Sequence, residues 1–300
     1  MNFTTKDTIK LAVLSLVITL LGLAESRAQI RAFDNSRAFM PWLYNPAADM
    51  PAQYSAYLGY DARGNSSITP QSMVAGVRVP VIGVGRGSSG KHALGVAGLQ
   101  ALNTSQSLAN LLTVQANYAH QISLNDKVRL GFGMGMGMQH FSYDQDELVY
   151  FDEQDPFFQQ GDRLFNLNLQ VGVSLVADDK LFIHLSSPDM LKNGSNNFDE
   201  IIVRSGFMLP LQADFAVVPA VYFETYNHNR IYGGDLRVEW KKMLSVLAGA
   251  DRYKAYGGLQ FKYKEIGFGY TYGQNFSNYR GSLDSHQISL NLSASGKRGR

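Results

Sequence analysis

Few side chains in this sequence stand where they could do chemistry together. The six histidines, His92, His120, His140, His184, His228 and His286, are nowhere three to five residues apart. A local zinc site needs that spacing. Cysteine is absent, which excludes disulfides, thiol catalysis, thiolate metal ligation and a lipid carried on cysteine. Serine catalysis needs a histidine base oriented by an amide or carboxylate. No Gly-x-Ser-x-Gly occurs, and the one suggestive neighbour pair, Ser285-His286, opens a strand and reads as structural. Residues 142–162 hold seven acids and no base. Asp144, Asp146 and Glu147 invite a calcium reading, but the glycine and the closing glutamate of an EF-hand loop are missing. The segment reads as a solvated acidic loop, with Tyr150, Phe151, Phe157 and Phe158 available as a partner surface. The expectation is no catalytic residue, no metal and no cofactor.

Gly131-Phe132-Gly133-Met134-Gly135-Met136-Gly137-Met138 is a different kind of signal. No lysine and no helix start follow it, so it is not a phosphate loop. Its period is two, so it is a strand with phenylalanine and methionine on one face and bare glycine on the other. Such a face lets a second backbone approach and would make room for residues 29–52. A tightly curved wall is the simpler reading of the same pattern.

Period-two alternation extends along most of the chain. Tyr54, Ala56, Leu58 and Tyr60 share one face. Leu167, Leu169, Val171, Val173 and Leu175 oppose Asn166, Asn168, Gln170, Gly172 and Ser174. Tyr232, Leu236, Val238 and Trp240 oppose Asp235, Arg237 and Glu239, and Ile288, Leu290 and Leu292 oppose Gln287, Ser289, Asn291 and Ser293. The polar faces are richer in Asn, Gln, Ser and Gly than in Lys and Glu, which suits a lumen. Charged residues make up 17%, against about 25% in ordinary soluble domains. A net charge of +2 implies no field for nucleic acid. Segments of nine or more residues exceed the usual soluble strand and match the roughly 9–11 residues of a membrane barrel strand. The expected fold is an all-β transmembrane antiparallel barrel of about 14 strands, near 53–61, 72–80, 92–102, 108–122, 127–141, 163–177, 180–186, 201–209, 215–226, 230–240, 244–253, 254–263, 266–274 and 285–294. Connections near 62–71, 142–162, 187–200 and 275–284 are long, and those near 123–126, 178–179, 241–243 and 264–265 are short. The long set belongs outside the cell and the short set in the periplasm. The long Gly/Ser-rich stretch 81–91 breaks that rule.

Lys6 and Lys10 precede an apolar run over 11–23, and Ser26-Arg27-Ala28 follows. This is the layout of a secretory signal, too short to span a bilayer as a helix. The expected division is a signal peptide over 1–28 and a mature start at Gln29. An N-terminal plug or strap over 29–52, the barrel over 53–295 and a basic tail over 296–300 with Lys297, Arg298 and Arg300 complete it. The strap reading rests on Phe39, Trp42, Leu43 and Tyr44, which are costly to leave in water. Pro41 and Pro46 keep the segment from being a good strand or helix.

In Tyr44-Asn45-Pro46-Ala47, Ser186-Ser187-Pro188-Asp189-Met190-Leu191, Leu247-Ala248-Gly249-Ala250, the run from Ile266 to Tyr272 and the close Ser285-His286-Gln287-Ile288-Ser289-Leu290, the chain resembles the PorP/SprF family of type IX secretion membrane proteins of Bacteroidetes. It departs from the family pattern in Ala48-Asp49 after Asn-Pro-Ala, in Gln287 for a glutamate, and in a basic tail instead of an aromatic terminus. The resemblance implies a non-enzymatic outer-membrane component of the type IX secretion and gliding-motility machinery. It would assist export or surface anchoring of large secreted adhesins. Its implied partners are the periplasmic ring, other secretion components, adhesin clients and outer-membrane lipid. The alternative is a passive porin for small solutes, for which Asp235, Arg237 and Glu239 are the candidate lumen charges.

Overall fold

The computed structural model describes residues 33–48, 54–64, 70–81, 93–106, 109–143, 163–188, 200–212, 214–226, 229–276 and 284–294. The proposed signal peptide, the acidic loop with Asp144, Asp146 and Glu147, His92, His228 and the basic tail lie outside them. Among the described residues no helix is long and apolar enough to cross a membrane.

The strands are β1 (Tyr54–Arg63), β2 (Gln71–Val81), β3 (Ala93–Gln106), β4 (Ala109–Ser123), β5 (Val128–Tyr143), β6 (Arg163–Ala177), β7 (Leu181–Ser187), β8 (Ile201–Phe207), β9 (Leu209–Gln212), β10 (Phe215–Tyr226), β11 (Asn229–Trp240), β12 (Leu244–Asp251), β13 (Lys254–Tyr263), β14 (Ile266–Asn275) and β15 (Ser285–Ala294). Strands β8 and β9 both pair with β10 and share one place in the wall, so the wall has fourteen positions. Each position pairs antiparallel with its neighbours in the chain, and β15 pairs with β1 from Tyr54↔Ala294 to Arg63↔Ser285. The sheet therefore closes into an up-and-down barrel without a free edge strand, the arrangement that satisfies a backbone in lipid. The break between β8 and β9 falls at Met208. Beyond it the register shifts between Phe215 and Ala216, beside Pro210, which has no N–H for the ladder.

Alternation sets which side faces which solvent. On β5, Phe132, Met134, Met136 and Met138 are exposed outward, Met136 at 65%, while Gly131, Gly133, Gly135 and Gly137 face in. On β6, Leu167 is outward and Asn168, Gln170 and Ser174 are buried inward. Sliding either strand by one residue would turn every polar group to lipid. The histidines divide in the same way. His120, His140 and His286 point outward beside aromatic rings, and His184 points inward.

Turns at the two ends differ in length, though less regularly than the sequence suggests. Short links follow β4 (124–127), β6 (178–180), β9 (213–214), β11 (241–243) and β13 (264–265) at one end. At the other end the links after β1, β5, β7 and β14 are long, but those after β3, β10 and β12 have two residues each. The expected asymmetry thus covers four of the seven links at that end, because a two-residue turn closes a barrel hairpin as well as a long one. Asp178, Asp179, Lys241 and Lys242 take positive φ of 52° to 55°, the geometry of tight hairpin turns, normally given to Gly or Asn.

Candidate functional site

Residues 33–48 lie inside the barrel. Two short 3₁₀ turns, Asp34–Ser36 and Pro41–Leu43, compact the segment. Its first described residue is Phe33, whose φ of 59° is left-handed and whose N–H donates to Asp61 Oδ2 at 2.8 Å. Phe33, Phe39, Met40 and Trp42 are buried in one cluster with Tyr57, Val74, Tyr222, Leu247 and Tyr256 from the wall. Trp42 lies 3.8 Å from the Tyr57 ring. These apolar side chains face inward, with Val218 and Ala220 of β10 buried on the same side, among inward residues that are otherwise largely polar, and give the lumen one dry layer.

Around that layer the contacts are polar and reach every side of the wall. Asn35 donates to Ser285 Oγ. Ser36 donates to Gln287 Oε1 at 2.7 Å and lies 3.2 Å from Thr271 Oγ1. Asp34 pairs with Lys254 and, at 3.2 Å, with Arg63, and accepts from Gln287. Arg37 bridges to Glu224 at 2.5 Å and sits over the Tyr222 ring. Arg237 donates to the Ala38 carbonyl at 2.7 Å, and Arg78 to the Pro46 carbonyl at 3.3 Å. A chain of amides closes the circuit, Tyr57 to Gln100 at 3.0 Å, Gln100 to Gln115 at 2.7 Å, Gln115 to Gln170 at 2.9 Å, and Gln170 to the Leu43 carbonyl at 3.2 Å.

Asn45 explains the Asn-Pro-Ala triplet physically. Its amide donates to the carbonyls of Val173 and Leu185 at 3.0 and 3.2 Å, and its Oδ1 accepts the Ala47 N–H at 2.9 Å. The side chain lies directly over Gly172, and the backbone at Pro46 and Ala47 lies over Gly133, where an added Cβ would stand 2.6 Å from Ala47 N. The glycine face of β5 thus receives the segment at Gly131 and Gly133. At Gly135 the space is filled by the Gln115 and Gln170 side chains instead, and at Gly137 by the Val114 carbonyl and Gln115. The segment meets half of the glycine face, since β4 closes over the rest.

Burial alone would raise the Asp34 pKa, but the charges of Lys254, Arg63 and Arg37 hold it well below the usual carboxylate range. Burial would likewise lower that of Arg37; Glu224 outweighs it and raises it. Both stay ionised. Charges this deep are stable only when paired, and both are ion-paired across the lumen, although Arg37 leaves Nε and Nη1 without an acceptor.

The candidate lumen charges do not form an open constriction. Asp235 accepts two bonds from Arg204, at 2.8 and 3.0 Å, and Arg237 pairs with Glu239 at 2.9 Å. Ser285 and His286 point to opposite faces, the serine to Asn35 and the histidine to Tyr270 Oη at 2.8 Å. The polar partners Asp34, Arg37, Glu224 and Lys254 had no local signal in the sequence, because each finds its counterpart far away in the chain; Asp61 pairs with Arg63 on its own strand and also accepts from the distant Phe33 N–H.

Residues 84–292 match the family model described as "Type IX secretion system membrane protein PorP/SprF". The chain belongs to this family. It is an outer-membrane β-barrel component of the type IX secretion system, in line with the fold. No curated protein matches. Among solved structures, the Pseudomonas putida toluene transporter TodX aligns with a TM-score of 0.52 at 9% identity, covering 87% of this chain and 93% of that one. A TodX deltaS2S3 mutant monoaromatic hydrocarbon channel aligns at 0.53 and 10%, covering 84% and 93%. These likenesses concern the fold alone.

Proposed function

We propose that this PorP/SprF protein is a non-enzymatic scaffold barrel that assists export or surface anchoring of large secreted adhesins and contacts the periplasmic ring of the machine. On this reading residues 33–48 act as a plug, and the barrel serves by holding proteins, not by passing solutes. The observation that carries it is the circuit of bonds from the N-terminal segment to β1, β2, β6, β7, β10, β11, β13, β14 and β15. A pore for small solutes gains nothing from filling its own lumen with a dry aromatic layer. The described histidines lie on opposite faces of the wall, His184 inward and His120, His140 and His286 outward, so they do not gather into one centre, which supports the non-enzymatic reading.

The test is crosslinking in cells, extraction in mild detergent and mass spectrometry of what comes with the barrel. Recovery of a ring component or a giant adhesin is the expected result; a barrel recovered only with itself and lipid counts against the scaffold. Planar-bilayer recordings examine the passive channel separately. The intact protein should be nearly silent, and removal of 33–48 should open a conductance. Porin-like conductance of the intact protein would favour the alternative.

A further inference from the structure

Below the N-terminal segment, toward the short-turn end, the lumen opens into a cavity of about 670 Å³. Its ceiling includes Phe39 and Trp42. On its wall, His184 of β7 and Arg204 of β8 are direct cross-strand partners. Phe182 stacks on His184 with ring centroids 5.0 Å apart, and the Arg204 guanidinium stands 5.4 Å over the same Phe182 ring. Arg204 uses Nη2 for both oxygens of Asp235. Its Nε and the Nδ1 of His184 are buried without a hydrogen-bond partner, and Arg204 is only 7% exposed. A buried guanidinium N–H without an acceptor is uncommon in a finished fold and calls for an explanation.

We propose that this cavity is an anion-binding vestibule that receives an acidic segment of a partner polypeptide from the short-turn side, with a carboxylate seated between Arg204 Nε and His184 Nδ1. With its Nδ1 carrying the proton, His184 and the Arg204 guanidinium offer two N–H donors on one wall of the cavity, a setting that a carboxylate completes. Five basic residues line the cavity, and Glu265 is the one acid among its lining residues. Arg129, Arg204 and Arg237 have carboxylate partners in Asp179, Asp235 and Glu239. Lys262, exposed at the mouth, pairs with no carboxylate among the described residues. The aromatic rings of Phe39, Trp42 and Phe182 suit the apolar neighbours of an acidic residue in a chain. The volume lies in the range that holds a short peptide segment. A free phosphate would satisfy the donors but leave the rings and most of the space unused. The proposal rests on the scaffold reading for the nature of the partner, and on the wall itself for the chemistry.

The test uses the mature barrel in lipid nanodiscs, with dye-labelled hexaglutamate as probe, hexalysine as control and inorganic phosphate as competitor. Hexaglutamate should bind saturably and hexalysine should not. His184→Phe and Lys262→Glu, neither of which breaks an ion pair of the wall, should each weaken binding about tenfold, the worth of one charge-assisted contact. Heat-modifiable migration on gels confirms that each variant is a closed barrel. Equal binding of hexalysine, or unchanged affinity in both folded variants, overturns the site. Displacement of hexaglutamate by equimolar phosphate overturns the polypeptide ligand in favour of a free anion. Failure of the scaffold reading registers in the crosslinking and conductance measurements, independently of this binding.

Discussion

Gly133 is the position where the N-terminal segment leaves least room. A Cβ there would stand 2.6 Å from Ala47 N and 2.9 Å from both the Pro46 carbonyl carbon and Pro46 Cγ. Two of these are backbone atoms, and the backbone is held from the other side by Asn45 on the Val173 and Leu185 carbonyls and by Arg78 on Pro46. It cannot give way cheaply. Overpacking of this kind costs about 1–3 kcal/mol, which lowers the ratio of docked to undocked segment roughly 5- to 150-fold. Gly131 is the internal control, because its Cβ would stand 3.3 Å from the Ala47 carbonyl oxygen, a contact that a small shift relieves. The chain has two tryptophans, so Trp240→Phe leaves Trp42 as the reporter. In that background Gly133→Leu should raise acrylamide quenching of Trp42 strongly, Gly133→Ala measurably and Gly131→Ala little. The barrel should stay heat-modifiable throughout. Identical quenching in Gly133→Leu and the parent would refute the packing of segment on glycine.

Met136→Arg, outward on β5 at 65% exposure, should cost about 2–4 kcal/mol in urea unfolding from lipid, whereas Met136→Leu should be neutral; equal effects would argue against a lipid-facing position. Asp34 has its folded pKa depressed, so its stabilisation is complete above about 4, the unfolded carboxylate value, and is lost as pH falls below that toward the depressed value. Trp42 quenching should therefore rise in acid, and Asp34→Asn should remove that acid dependence; the same profile in both proteins would sink the idea. Lys242→Gly relieves a residue at φ 55° and should add about 1 kcal/mol, read as a higher urea midpoint, with no change counting against strain at that turn. Amino-terminal sequencing of the outer-membrane fraction should find Gln29 first, and an uncleaved protein in the inner membrane would contradict the export reading.

Much of the wall is legible in the sequence because a strand's period is two. In the run from Asn166 to Leu175 the residue types alone say which side chains meet lipid and which meet the lumen, and β6 follows them. The strand positions follow as well, except where Pro210 and Met208 split one of them into β8 and β9, a local irregularity that alternation does not register. Aromatic bulk in 39–44, set between prolines, indicates a segment in need of a dry surface without saying which surface. What only the tertiary structure decided is the wiring of the lumen. Asp34 meets Lys254, Arg37 meets Glu224, and Gln170 reaches back to Leu43. Such pairs depend on barrel closure and shear, which place inward residues of remote strands at one height, and nothing near them in the chain encodes that height. The same holds for the glycines. Gly133 and Gly135 are identical in local pattern, yet one lies under Ala47 and the other under Gln115, because the opposing element, and not the strand itself, determines what fills the space that a glycine leaves.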